Sequence, residues 1–341
     1  MKVLHIPQER QVSVADEPMP CASAGEVLLN MQYVGFCGSD LNTYLGRNTM
    51  AKANVVPGHE IGATVEAVGA DVPPGLFKPG DAVTVNPYTN CGTCPSCRNL
   101  RTNACQHNET LGVQRDGAMR EFVAVPWQKV IPVEGISLRD CALIEPMSVG
   151  FHAVARAQVS DTDTVVVLGC GMVGLGAVVR AARRGATVIA VDLSQEKLDI
   201  AARLGAAHGV NSAKDDIAAK VRELTGGAGA DVVIEAVGSP VTYVAAVDAV
   251  SFTGRVACIG YAKSEVAFQT KYFVQKELDI RGSRNAMPDD FRAVIRYLQG
   301  VKSADLDCLV SGVVAPEEAQ GAMERWASNP GGVFRLLVKW H

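Results

Sequence analysis

Directly after the apolar run "TVVVL", three glycines stand as Gly169-x-Gly171-x-x-Gly174 in "TVVVLGCGMVGLGA". Gly169 permits a tight turn out of a strand, Gly171 lets a pyrophosphate approach the backbone, and Gly174 lets helix and strand pack closely. A phosphate held there would meet the positive end of the following helix. In a chain with 33 glycines the triplet alone says little, but its setting says more. "ATVIAVD" reads as the next strand and ends in Asp192. A carboxylate there accepts both hydroxyls of an adenosine ribose and repels a 2′-phosphate, which favours NAD over NADP. The other role open to Asp192 is a helix N-cap. Lys197 either flanks the same ribose or is a solvated helix lysine.

The surrounding pattern extends the argument. From about residue 160, "TVVVLG", "ATVIAVD", "HGVN", "ADVVIEAVG", "GRVACIG" and "ELDIRGS" read as six buried parallel strands. Between them "SQEKLDIAARLGA", "DDIAAKVRELTG" and "PVTYVAAVDAVS" read as helices, the first capped by Ser194. Six strands with helical crossovers make a doubly wound sheet. Residues 1–150 differ. Short β-like runs ("EVLLNMQYVG", "GATVEAVGA", "DAVTVNPY", "GAMREFVAVPWQKVIPV") are broken by Gly and Pro, with turns at Pro57-Gly58 and Pro79-Gly80. They predict a mostly antiparallel β domain with long loops. Beyond about residue 286, "PDDFRAVIRYLQG" and "APEEAQGAMERWAS" predict amphipathic helices and "GVFRLLVKW" a closing strand.

A length of 341 residues also suggests two domains rather than one core. The net charge of −4 is spread without basic clusters, so nothing points to nucleic acid or an anionic membrane. "MKVLHIPQER" has no secretory pattern, and the most apolar stretches are interrupted by glycine. Six of the ten cysteines are scattered singly, as in a reducing compartment, which predicts a cytoplasmic protein.

The other four are crowded into "CGTCPSCRNLRTNAC": Cys91, Cys94, Cys97 and Cys105. In a reducing compartment, such thiols are metal ligands before they are disulfides. Four thiolates close a tetrahedral zinc shell and leave no position for substrate, so the cluster predicts a structural zinc. Ferredoxins share the first two spacings, but here the last gap is seven residues and no proline follows Cys105.

Chemistry must then come from elsewhere in the first 150 residues: Cys37, Ser39 and Asp40 in "GFCGSD", His59 and Glu60 in "VPGHEIG", Glu145 and His152 in "LIEPMSVGFHAV". With the cysteine lobe and the glycine motif in the same order, these segments make the chain resemble the zinc-containing medium-chain dehydrogenases, the superfamily of alcohol, sorbitol and threonine dehydrogenases. The resemblance covers essentially the whole length. It implies an α/β architecture with a GroES-like, mostly antiparallel β catalytic domain built from residues 1–150 and 287–341. A Rossmann NAD-binding domain would occupy 151–286. It also implies two zincs per chain, Cys37 and His59 holding the catalytic one. Glu60 and Glu145 are the candidate carboxylate ligands, and Glu145 stands where alcohol dehydrogenases have a second cysteine. A carboxylate in that place makes the ion harder and ligand exchange easier. Ser39 corresponds to the hydroxyl that passes the substrate proton outward. His152 is read as packing and left out of the site. One departure stands out: relatives often have histidine where this chain has Asn42, which does not titrate.

Within the superfamily, "LRTNACQ", "LGVQRDGAMREFVAVP" and "GSRNAMPDDF" resemble a bacterial branch acting on sugar acids and polyols, L-galactonate 5-dehydrogenases among them. Arg284 and Asn285 are then candidate substrate contacts, Arg284 toward a carboxylate or phosphate; an ion pair or cofactor contact explains Arg284 equally well. The expectation is an NAD-dependent oxidation of a secondary hydroxyl by a homodimer or homotetramer. Two rivals remain: a threonine-type amino-alcohol dehydrogenase, and a nucleotide-binding protein whose zincs are both structural.

Overall fold

The apolar runs after residue 160 form one six-stranded parallel sheet in the computed structural model, which describes residues 1–341. Across the sheet the strands run His208–Asn211, Thr187–Asp192, Thr164–Leu168, Ala230–Glu235, Val250–Cys258 and Asp279–Gly282. In chain order that is third, second, first, fourth, fifth and sixth, so the order reverses at Thr164–Leu168, where doubly wound sheets bind their ligands. Val166 lies opposite Ile189 on one side and Val233 on the other. Val165, Val166, Val167 and Leu168 are completely buried, as expected of a central strand covered on both faces. The helices Gln195–Arg203, Ile217–Leu224 and Pro240–Ala249 start where side chains satisfy their free amides. Ser194 accepts from the Lys197 amide, Asp216 from Ala219, and Ser239 from Thr242.

The chain divides into two compact units, Met147–Ala286 around this sheet and Met1–Pro146 with Met287–His341. The second of these is built on a seven-stranded sheet. Its long central strand, Glu26–Phe36, pairs antiparallel with Glu60–Val68, with Phe122–Pro126 and with the C-terminal strand Leu336–Lys339. Leu336 stands opposite Phe36, so the last residues complete a sheet begun by the first forty. Val27, Leu29, Met31, Val34 and Phe36 project into one apolar core with Trp326 and Val338. Each such side chain contributes about 1.5–3 kcal/mol on burial. Gly58, in the predicted Pro-Gly turn, has φ +100°, and a Cβ there would lie 2.8 Å from Val34. Only glycine fits.

The hairpin Lys2–Gln8/Gln11–Asp16 is absent from the strands read above. Its turn carries no Gly or Asn, and Arg10 takes the left-handed conformation instead (φ 57°), so the usual hairpin cue is missing. No helix is long and apolar enough to cross a membrane.

Candidate active site

The strand pairing Glu26–Phe36 with Glu60–Val68 brings the motif residues together. Gly35 faces Glu60 in register, so Cys37, just past one strand end, meets His59 and Glu60 at the start of the other. A Cβ on Gly35 would lie 2.3 Å from Glu60 Oε2; its absence makes room for the carboxylate. Cys37 stands at the N-cap of the helix Gly38–Tyr44, where its amide donates to Asp40 Oδ2 at 2.8 Å. The Cys37 sulfur, a His59 ring nitrogen and a Glu60 oxygen all lie within 4.8 Å of one another. His59 and Glu60 are buried, yet His59 Nδ1 and Glu60 Oε2 have no partner. Buried polar atoms left so are costly, and a sulfur, a nitrogen and an oxygen turned together fit a divalent cation of borderline softness.

One cation is already beside them. Arg335 Nη1 lies 2.8 Å from Glu60 Oε1 and donates to the Phe36 carbonyl at 2.7 Å. Burial pushes the Glu60 carboxyl well above the usual range, with the Arg335 charge opposing it. Burial also pushes the Cys37 thiol up, but its hydrogen bond and charge interaction with His59 outweigh this and bring it down to about 7. Burial works to lower His59, and the bond to Cys37 holds it well above its ordinary value. The bond between them thus draws the Cys37 thiol down and the His59 imidazole up.

Ser39 lies on the same short helix, with its hydroxyl oxygen buried and without a partner. The Asn42 side chain turns back on that helix, its Nδ2 donating to the Gly38 carbonyl at 2.9 Å. Glu145, buried in the first turn of the helix Ile144–Arg156, is outside the converging set. It accepts a short hydrogen bond from the Tyr88 hydroxyl instead. Burial and the Glu145 charge push the Tyr88 phenol well above its ordinary value, so it remains a donor.

The four cysteine sulfurs form a second group within 4.8 Å, with Cys91 exposed and the other three buried. Backbone amides point at them. Cys94 N lies 3.3 Å from the Cys91 sulfur, and Cys91 N and His107 N each lie 3.3 Å from that of Cys105.

In the other unit, Gly169 has φ +93°, and a Cβ on Gly174 would lie 1.8 Å from the Gly169 carbonyl oxygen. Gly171, just before the helix Met172–Arg183, borders open space. That is a cradle for a phosphate against a helix start. Asp192 accepts from the amides of Cys170 (2.8 Å) and Ser194 (2.9 Å), so its carboxylate is fixed at the rim of the cradle. Lys197 is half-buried in the first turn of the next helix. Arg284 and Asn285, both half-buried, follow the strand Asp279–Gly282, with Asn285 in the left-handed conformation (φ 54°).

Residues 23–135 match the alcohol dehydrogenase GroES-like domain and residues 173–300 the zinc-binding dehydrogenase domain. An L-galactonate-5-dehydrogenase of Escherichia coli K12 is 33% identical over 308 residues, 90% of each chain. A sorbitol dehydrogenase of Bacillus subtilis is 33% identical over 350 residues, 99% of this chain and 97% of its own. This chain belongs to the zinc-containing medium-chain dehydrogenases. Its fold agrees with the crystal structure of an Escherichia coli CFT073 protein described as a short chain alcohol dehydrogenase, complexed with NADH. The TM-score is 0.91 at 27% identity, covering 100% of this chain and 99% of the other.

The dehydrogenase thus gathers Cys37, His59 and Glu60 and leaves Glu145 on Tyr88. Tyr88 and Arg335 are absent from the residues read in the sequence. A tyrosine three positions before a cysteine cluster carries no signal. Arg335 reaches Phe36 across 299 residues, a contact only the closed sheet creates.

Proposed function

We propose that this dehydrogenase oxidises a secondary hydroxyl of a polyol or sugar acid, L-galactonate-like, to a ketone with NAD. The observation that carries the reading is the convergence of Cys37, His59 and Glu60 with buried atoms lacking partners. Those three residues would hold the catalytic zinc, and Cys91, Cys94, Cys97 and Cys105 a structural one. A zinc ion bound there would supply Lewis-acid polarisation of the substrate oxygen. NAD on the Gly169–Gly174 turn would supply the hydride acceptor.

The remaining work falls to the chain. Ser39, whose hydroxyl has no other partner, accepts the proton of the substrate hydroxyl and passes it outward. Asn42 neither titrates nor points away from its own helix, so the proton leaves through water rather than a histidine at this position. Asp192 binds the adenosine ribose and repels a 2′-phosphate; Lys197 lies beside it. Arg284 and Asn285 meet the polar end of the substrate. The enzyme works in the cytoplasm as a homodimer or homotetramer, which is supported by the apolar Ile280 (45% exposed) on the outermost strand of the parallel sheet.

Initial rates of NADH formation across polyols, aldonates and L-threonine, with NAD and NADP in parallel, test this. Turnover of an aldonate or polyol with NAD is expected. Selective turnover of L-threonine makes the enzyme an amino-alcohol dehydrogenase, and a preference for NADP removes the ribose role of Asp192.

A further inference from the structure

The strand order of the parallel sheet reverses between Thr164–Leu168 and Ala230–Glu235, and a crevice opens where an order reverses. The glycine turn follows the first of these strands, and residues 236–239 follow the second. Ala236 N donates to the Leu168 carbonyl at 2.9 Å. A Cβ on Gly169 would lie 2.6 Å from Val237 Cγ2, so Val237 leans on the first glycine of the motif while staying 51% exposed. On its other side the turn packs backbone to backbone against the next one. A Cβ on Gly238 (φ +79°) would lie 2.7 Å from Tyr261 N, and one on Gly260 2.2 Å from Gly238 N.

Beneath these turns lies a carboxyl group where an apolar side chain would serve a plain sheet. Glu235 is completely buried, with Leu168 and Cys258 in register on the neighbouring strands. Its Oε1 accepts from the amides of Val237 (3.0 Å) and Gly238 (2.8 Å) and from the Thr242 hydroxyl (2.7 Å). Its Oε2 has no hydrogen-bond partner. Burying a carboxyl group with one oxygen unused is a cost that stability alone does not explain, since an apolar residue avoids it. What the group does is fix two successive amides of the turn that carries Val237.

We infer that Glu235 is a positioning residue for the dinucleotide: it holds residues 236–239 as the second wall of the crevice, beside the Gly169–Gly174 turn. The cofactor then enters a slot whose wall is set before it arrives, and less ordering opposes binding.

The inference rests on the proposed reading of the Gly169–Gly174 turn as the NAD site, and its test separates the two. Fluorescence titration of the intact enzyme with NADH gives the Kd and the number of sites per chain, with thermal melting as a control for folding. Glu235→Met should weaken binding about 10- to 100-fold, the scale of hydrogen bonds to a charged group. The number of sites should stay that of wild type, because the wall is loosened and the unit is not unfolded. Glu235→Gln, which keeps an acceptor oxygen for both amides, should bind within about 3-fold of wild type. Thr242→Val removes the third donor and should weaken binding about 3- to 10-fold, adding nothing to Glu235→Met. Wild-type affinity in Glu235→Met overturns the inference; should that protein not fold, wild-type affinity in Thr242→Val does so. A loss that Glu235→Gln shares in full overturns it as well, as does a loss of sites at unchanged Kd. If wild type binds neither NADH nor NADPH, the cofactor assignment itself fails and the inference falls with it.

Discussion

The two metal-donor sets of this dehydrogenase are built on opposite plans. The cysteine lobe draws all four donors from 15 consecutive residues, uses one element type, and turns its own amides toward the sulfurs. The Cys37–His59–Glu60 set draws on two strand ends and is braced by Arg335 from the far end of the chain and by a helix that begins at Gly38. The first is satisfied locally and has no spare position. The second leaves His59 Nδ1, Ser39 Oγ and Glu60 Oε2 without partners, a cost that a binding site bears and a scaffold does not.

The contrast is broken most sharply by removing one sulfur from each. Cys94→Ser should unfold the lobe, because a structural site supplies folding energy directly. A loss of about 3–5 kcal/mol lowers Tm by about 10 °C. Cys37→Ser should leave Tm within about 3 °C of wild type while turnover drops below about a thousandth. Calorimetry and an NADH assay on both proteins would show whether the two sets differ in this way; equal melting losses would erase the distinction.

Arg335→Met comes next. In metal-depleted protein it leaves Glu60 buried without its countercharge, at a cost of about 3–5 kcal/mol by denaturant unfolding. Adding Glu60→Gln should recover most of the loss.

Cofactor choice should respond by a smaller amount. Asp192→Ala with Leu193→Arg, at a side chain already 70% exposed, exchanges a repulsive carboxylate for a cation. Ratios of kcat/KM for NAD and NADP should shift by about 10- to 100-fold toward NADP.

Alkylation separates the cysteines by pH. With the Cys37 thiol brought down to about 7, its thiolate forms above that pH, so modification in metal-depleted protein should rise with a midpoint near neutrality. Cys141, which burial pushes up to about 12, should stay unmodified in the same peptide map.

The smallest effect is expected at Asn42. A histidine there adds a group titrating near neutrality, so Asn42→His should alter the pH profile of turnover more than its maximum. Ser39→Ala, by contrast, should lower turnover at every pH, and full activity in that variant would require a different proton path.

What the sequence discloses follows the same division. The four inner strands of the parallel sheet were readable because each announces itself by an apolar run; the edge strands His208–Asn211 and Asp279–Gly282, read as buried, are half and mostly exposed, since an edge has cover on one side only. The cysteine lobe likewise announces itself locally. Cys37 and the adjacent pair His59-Glu60 lie in separate segments, and only their resemblance to a family of motifs joined them. Tyr88 and Arg335 stayed hidden because nothing near them in the chain explains them; their partners Glu145 and Phe36 are 57 and 299 residues away. Glu145 shows the limit of the motif itself, which cannot say whether a nearby phenol has already claimed the carboxylate.

The strand Leu336–Lys339 sets a timetable for synthesis. Residues 147–286 form a contiguous unit whose sheet is complete once its own last strand has been made. The unit bearing the donor set has no such freedom. Until Leu336–Lys339 emerges, Glu26–Phe36 lacks one antiparallel neighbour and shows an unpaired edge, the kind of surface through which nascent chains aggregate. Arg335 reaches Glu60 at the same late moment. On the ribosome, therefore, the unit begun first is completed only after residues 147–286 have been made, and its donor set gains the guanidinium of Arg335 at that later stage.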